Sequence, residues 1–341
     1  MISEGKKSAS MVNRNAQQTQ IEQAIAVLQQ ALEADDRRND TEGKAEKLYQ
    51  MAILKANQGK IDEAIRLYEQ CQKLYDRLGD AEGVATILYQ MATLKANKGE
   101  MKKAIALFEQ SLKLAKSIGD VETQAETLHS LAMVKANQGE VKDAIAMCQE
   151  SIQLKESIND IQGQATTLHQ LAILKANQGE VENAIELFGE SLKLKESIND
   201  IQGQSSTLHS LAVIYAHHGQ IETANNLYRQ SLQLKEGIGD IEGQADTLHQ
   251  LGELYQQMGR VEDAIELYRQ SLQFREQSVN IEGKATTMGM LGQLLASQGD
   301  FFTALVYLQS TLEIFDRIKS PHAKIVREVI ADVRRMQREG N

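Results

Sequence analysis

Residues 161–200, IQGQATTLHQLAILKANQGEVENAIELFGESLKLKESIND, decide the fold. Asp160, just before the stretch, is of the residue type that caps a helix N-terminus by accepting from free backbone N–H groups. The helix predicted to start there runs toward Gly179, whose missing Cβ permits the left-handed conformation that stops a helix. Beyond it Val181, Ala184, Ile185, Leu187, Phe188, Leu192 and Leu194 follow helical spacing and not the alternation of a strand. The stretch reads as a helical hairpin.

The same pattern returns every 40 residues, at 41–80, 81–120, 121–160, 201–240, 241–280 and 281–320, which makes seven full repeats. Each starts after an acid or amide (Asp40, Asp80, Asp120, Asp160, Asp200, Asp240, Asn280) and turns at a glycine (Gly59 through Gly299). This self-similarity overrides any domain count from the 341-residue length, because each hairpin can bury its apolar face only on its neighbours. Residues 1–40 read as a degenerate N-terminal repeat in which only the second helix is clear (Ile21, Ala24, Ile25, Leu28, Ala31). Residues 41–320 are the seven hairpins and 321–341 a C-terminal capping helix. After Pro321, that cap is expected to bury Ile325, Val326, Val329, Ile330 and Val333 and to expose Arg327, Arg334, Arg335 and Arg338. With one proline, no tryptophan and 4% aromatics, all-β classes are disfavoured and the expected class is an all-α solenoid of stacked hairpins.

Lys+Arg 37 against Asp+Glu 47 leaves a net charge of −10, the wrong sign for neutralising nucleic-acid phosphates or anionic membranes. No leader-like start and no long uninterrupted apolar run is found, so a cytoplasmic protein is expected. Cys71 and Cys148 fall at different points of the repeat and read as reduced core thiols. No phosphate-cradling glycine loop, zinc-ligand spacing, nucleophile elbow or kinase signature is found. The sequence therefore predicts no enzyme, no cofactor and no metal site.

Fixed offsets carry recurring types: Leu168, Leu171, Ala172, Gly179, Ala184 and Phe188, then Leu208, Leu211, Ala212, Tyr215, Gly219, Ala224 and Tyr228. This pattern resembles the tetratricopeptide repeat. The chain departs from the family in its 40-residue period, in lacking the proline that ends the second helix, and in Lys55, Lys95, Lys135 and Lys175 where a tyrosine is usual. The longer period is similar to the arrays of kinesin light chain and LGN/Pins, and the near-identity of the units to long bacterial, notably cyanobacterial, arrays. The resemblance implies a right-handed superhelix whose first helices line a peptide-binding groove.

On a helix wheel the free side of the first helix in the central repeat carries Thr166, His169, Gln170, Ile173, Ala176 and Asn177. Along the array these offsets form ladders: His129, His169, His209 and His249; Ile53, Thr93, Met133, Ile173 and Val213; Asn57, Asn97, Asn137 and Asn177. A contiguous apolar stripe marks either a contact surface or a packed seam. The asparagines either bond locally at the turn or hold a peptide backbone, since a carboxamide offers donor and acceptor together. The histidines would make binding sensitive near pH 6 to 7, and their spacing cannot converge on one metal ion. The groove offsets hold no Lys or Arg and include Glu46, Glu126, Asp246 and Glu253, which disfavours a C-terminal carboxylate as ligand. Lys55 and its equivalents are expected to pair with second-helix acids.

The favoured function is a non-catalytic scaffold or adaptor that binds an extended or helical peptide segment of a protein partner. One alternative is a peptide-sensing regulator; regulators of that kind carry an output domain, which the first 40 residues are too short and polar to supply. Another is a structural array that self-associates through the groove or the uncapped N-terminal helix.

Overall fold

The computed structural model describes the backbone of residues 2–339 and the side chains of residues 18–339. Among the described residues it holds sixteen α-helices and no strand. They divide into two compact units, residues 1–178 and 179–341. The first contains α1 (Ile2–Arg38), α2 (Thr41–Asn57), α3 (Ile61–Leu78), α4 (Ala81–Asn97), α5 (Met101–Ile118), α6 (Val121–Asn137), α7 (Val141–Ser157) and α8 (Ile161–Asn177). The second contains α9 (Val181–Ser197), α10 (Ile201–His217), α11 (Ile221–Gly237), α12 (Ile241–Gln257), α13 (Val261–Arg275), α14 (Ile281–Ser297), α15 (Phe301–Arg317) and α16 (His322–Glu339). No described helix is long and apolar enough to cross a membrane.

The capping residues do what the sequence asks of them. Each Asp or Asn before a first helix accepts from the backbone N–H three residues on, at 2.7–3.0 Å. The glycines from Gly59 to Gly299 take φ of 72–86° and end those helices. The closing hydrogen bonds are made by backbone, as in Gly59 N to Ala56 O (2.8 Å) and Lys60 N to Lys55 O (2.9 Å). A second left-handed residue, Asn or Gly at 39, 79, 119, 159, 199 and 239, ends the second helices. Where Val279 takes that place, a β-branched side chain resists positive φ; α13 stops early at Arg275 and Val279 is 75% exposed.

Within each hairpin a buried hydroxyl or thiol on the second helix reaches a carbonyl of the first. Ser111 donates to Ala85 O (2.8 Å), Ser151 to Ala125 O (2.7 Å), Ser231 to Ser205 O (2.7 Å) and Ser271 to Ala245 O (2.7 Å). Cys71 takes the same role toward Ala45 O (3.1 Å). Both cysteines are fully buried, and burial pushes each thiol up to about 12, which keeps it protonated and unreactive.

Successive repeats are joined by a polar node. Thr247 Oγ1, fully buried, donates to Gly243 O (2.8 Å) and meets Lys235 Nζ (2.9 Å) and His209 Nδ1 (3.1 Å). All three contacts are satisfied by a neutral imidazole carrying its proton on Nδ1. The arrangement recurs around Thr287, with Gly283 O, Arg275 and His249, and Thr167 likewise meets Gly163 O and His129. Burial, with Lys235 adding repulsion, pushes His209 down to about 3. Burial pushes His129 down to about 4, with Lys155 lowering it further and Glu126 opposing.

Helix α16 covers the last hairpin through Ala323, Val326, Ile330 and Val333, which join the core cluster of the second unit. Val329 packs partly against it, but Ile325 is 56% exposed, contrary to the expected stripe. Positions 323, 326, 330 and 333 keep one helical face, and Ile325 lies off that face.

Three outcomes test this account. Asp160→Ala should cost about 1 kcal/mol of unfolding free energy through the lost cap, and Gly139→Ala about 1–2 kcal/mol through left-handed strain, both read by denaturant melts. The histidines give a pH signature. Below an unfolded pKa of about 6.5 the denatured chain takes up protons that buried His129 and His209 refuse, so stability is full above that pH and falls as pH drops toward 4. His209→Gln should flatten the fall between about pH 6.5 and 5.

Candidate functional site

The candidate residues lie on the first helices and the structure sorts them into three groups. Asn57, Asn97, Asn137 and Asn177 are each the last residue of their helix and are all exposed. Among the described residues none of their side chains makes a hydrogen bond, because the turn is closed by the backbone of the next three residues. The carboxamides stand at the same point of four helices within the first unit.

Ile53, Thr93, Met133, Ile173 and Val213 are half-buried. Ile53 packs against the core cluster of the first unit and Val213 against that of the second, so part of each side chain serves the seam between helices. The stripe thus presents an apolar edge and not whole side chains.

The histidines are not free groups. His129, His169 and His209 are half-buried and His249 is buried. His209 and His249 pack edge-on or tilted against Tyr228 and Tyr268, with ring centroids 5.4 Å apart. The expected pH sensitivity of binding near 6 to 7 is corrected for His129 and His209: desolvation keeps both neutral well below that range, and their Nδ1 atoms are engaged by the next helix. His249 differs in having Glu253 Oε1 at 3.4 Å from Nε2; this bond holds the Glu253 carboxyl below the usual range.

The acids at the groove offsets are tied from behind. Lys155, 2% exposed, pairs with Glu126 at 2.8 Å, and Arg275, 5% exposed, with Asp246 at 2.6 Å and Glu242 at 3.1 Å. Sequence reading missed these basic residues, along with Lys195 and Lys235, which donate to Thr207 (2.8 Å) and Thr247 (2.9 Å). The signal was present as a Lys or Arg exactly one repeat apart at 155, 195, 235 and 275, followed eight residues later by glycine. Lys55, Lys95 and Lys135 pair with Glu63 (2.7 Å), Glu100 (3.3 Å) and Glu140 (2.6 Å), as expected of them. What the face offers a ligand is a row of amide donors and acceptors beside a shallow apolar edge, with its charges already neutralised.

The family model described as tetratricopeptide repeat matches residues 43–117, 123–197, 163–237 and 243–317, well over half of the chain. Among curated proteins no sequence match is found. Of solved structures, a signal transduction ATPase with numerous domains from Pyrococcus horikoshii, bearing a tetratricopeptide-repeat sensor, aligns with TM-score 0.71 at 14% identity. That alignment covers 86% of this chain and 44% of the ATPase, so the chain spans less than half of that protein. A Rap protein complexed with Competence and Sporulation Factor aligns with TM-score 0.56 at 14% identity, over 88% of this chain and 77% of the other. The Rap conjugation gene regulator of plasmid pLS20, in complex with the Phr* peptide, aligns with TM-score 0.57 at 16% identity, over 84% and 77%. At these identities the likeness is one of fold. The family match, together with hairpins that recur every 40 residues, establishes that the chain belongs to the tetratricopeptide-repeat family.

Proposed function

We propose that this protein is a non-catalytic, cytoplasmic scaffold that binds an extended or helical segment of a protein partner along its first-helix face. The observation that carries the reading is the row Asn57, Asn97, Asn137 and Asn177, whose exposed carboxamides make no hydrogen bond among the described residues. A carboxamide pairs with both the N–H and the C=O of a peptide unit, so the row can hold a backbone without selecting its side chains. The half-buried edges of Ile53, Met133 and Ile173 supply apolar contact beside it. Helices pack about 8–10 Å apart and an extended peptide advances about 3.3 Å per residue, so each repeat addresses about three ligand residues. The neutralised acids argue for a ligand whose recognition does not depend on a terminal carboxylate, on phosphates or on a lipid surface.

The peptide-sensing alternative is supported by the two Rap structures, each solved with a signalling molecule or peptide bound. The two readings differ in consequence: a sensor changes dimension when its ligand binds, which small-angle scattering detects, whereas an adaptor keeps its radius of gyration.

A library of random 15-residue peptides displayed on phage provides the test. Wild type is expected to enrich a peptide set that Asn97→Ala/Asn137→Ala/Asn177→Ala binds at least about tenfold more weakly, a loss of about 1.4 kcal/mol. The thermal melt should stay unchanged, since all three side chains are exposed. Equal enrichment by both proteins sinks the proposal for this face.

A further inference from the structure

Helix α1 departs from the hairpin rule. It runs unbroken for 37 residues, where the other helices have 15 to 18. At the place where Gly59, Gly99 and their equivalents turn the chain, α1 has Thr19, a β-branched residue for which positive φ is costly. The two helices of the N-terminal repeat are thereby fused into one. Residues of first-helix type remain in register in its leading half: Met11 stands where Met51 and Met91 do, Ala16 where Ala56 and Ala96 do, and Val12 and Gly5 where Ala52 and Ala45 do.

Fusion leaves the second-helix half of α1 without its own first helix, and an open face results. Ala24 is exposed and Leu28 and Ala31 are half-buried. The residues equivalent to Ala24 in later repeats, such as Ala64 and Ala104, are 0% exposed; those equivalent to Leu28, such as Tyr68 and Phe108, are 1% exposed. At about 1.5 Å per residue α1 is about 55 Å long and α2 about 26 Å, so α2 covers only half of it.

A second observation concerns charge. Asp35 is 8% exposed, its Oδ2 accepts no hydrogen bond, and the nearest cation, Lys47 Nζ, is 4.0 Å away. In later repeats the residue at this position is a base paired with an acid of its own first helix: Lys155 with Glu126, Arg275 with Asp246. The N-terminal repeat carries the same pair with signs reversed, Lys6 and Asp35. Along a straight helix the 29 residues between them place Lys6 about 44 Å from Asp35.

We propose that two copies of this chain pair through α1, antiparallel about Thr19, so that the leading half of each covers the open face of the other. The hairpins of the same chain define the register: Ser111 reaches Ala85 O, and a Cβ on Gly292 would lie 3.2 Å from Ala304 O. Transferred to α1, Gly5 lies opposite Ala31, Val12 opposite Ala24, and Lys6 of one copy neutralises Asp35 of the other. The contact is an exchange of identical elements about a two-fold axis, and each copy completes the first repeat of its mate.

The test uses the full chain. Light scattering should give twice 37.9 kDa for wild type. Asp35→Lys should raise the dimer dissociation constant at least tenfold, and adding Lys6→Asp should restore it. Independently, Val12→Cys/Ala24→Cys, which leaves the charges intact, should oxidise to a covalent dimer on a non-reducing gel. A disulfide formed within one chain, meaning that α1 folds back on itself as a hairpin, would overturn the proposal. So would a monomer mass with no crosslink.

Discussion

Everything in this molecule depends on how closely the two helices of a hairpin approach. At their crossing the side chains are reduced to almost nothing: Ala64, Ala104, Ala144, Ala224, Ala264 and Ala304 have no exposed surface, and an added Cβ on Gly292 would lie 2.9 Å from Leu308. A small hydroxyl then bridges to a carbonyl of the facing helix. Backbones held this near leave room for one large residue per second helix, and that place is filled by Tyr68, Phe108, Tyr228 or Tyr268. The interior is dense because each repeat repeats the same fit.

The joints between repeats follow from the same economy of space. An added Cβ on Gly243 would lie 2.9 Å from the Lys235 chain and one on Gly283 2.2 Å from the Arg275 guanidinium, so the buried base and the missing side chain belong together. The repeat that does carry a side chain there, Thr123, is preceded by the small Ala115 where others have Lys or Arg. A buried cation must find acceptors or lose its charge. Lys155 and Arg275 find carboxylates, while Lys195 and Lys235 find threonine hydroxyls and have their pKa lowered by burial. The histidines complete these nodes as neutral donors, which takes them out of the set of free binding groups.

What remains on the first-helix face is therefore selected by subtraction. The acids are neutralised, the histidines are engaged and the apolar ladder is half sunk into the seam, while the asparagines at the helix ends are left outside every structural bond. A surface of that kind favours contacts to peptide backbone over contacts to charge.

The sequence by itself determined the all-α class, the 40-residue beat, the caps and the glycine turns, because each is local: an Asp before a helix or a Gly after it acts on backbone within four residues. It also determined which residues seal each hairpin, since helical spacing fixes the face of Leu168, Leu171, Ala184 and Phe188. The ladders of asparagine and histidine were equally visible as repeats, but their states were not. Whether His209 titrates near neutrality depends on Thr247 and Lys235, 38 and 26 residues away, and on the water that packing removes. The buried lysine nodes, the exposure of Ile325 and the fusion of two helices across Thr19 were likewise decided in three dimensions. Burial and pairing across helices are properties of the assembled stack, and no single window of sequence contains them.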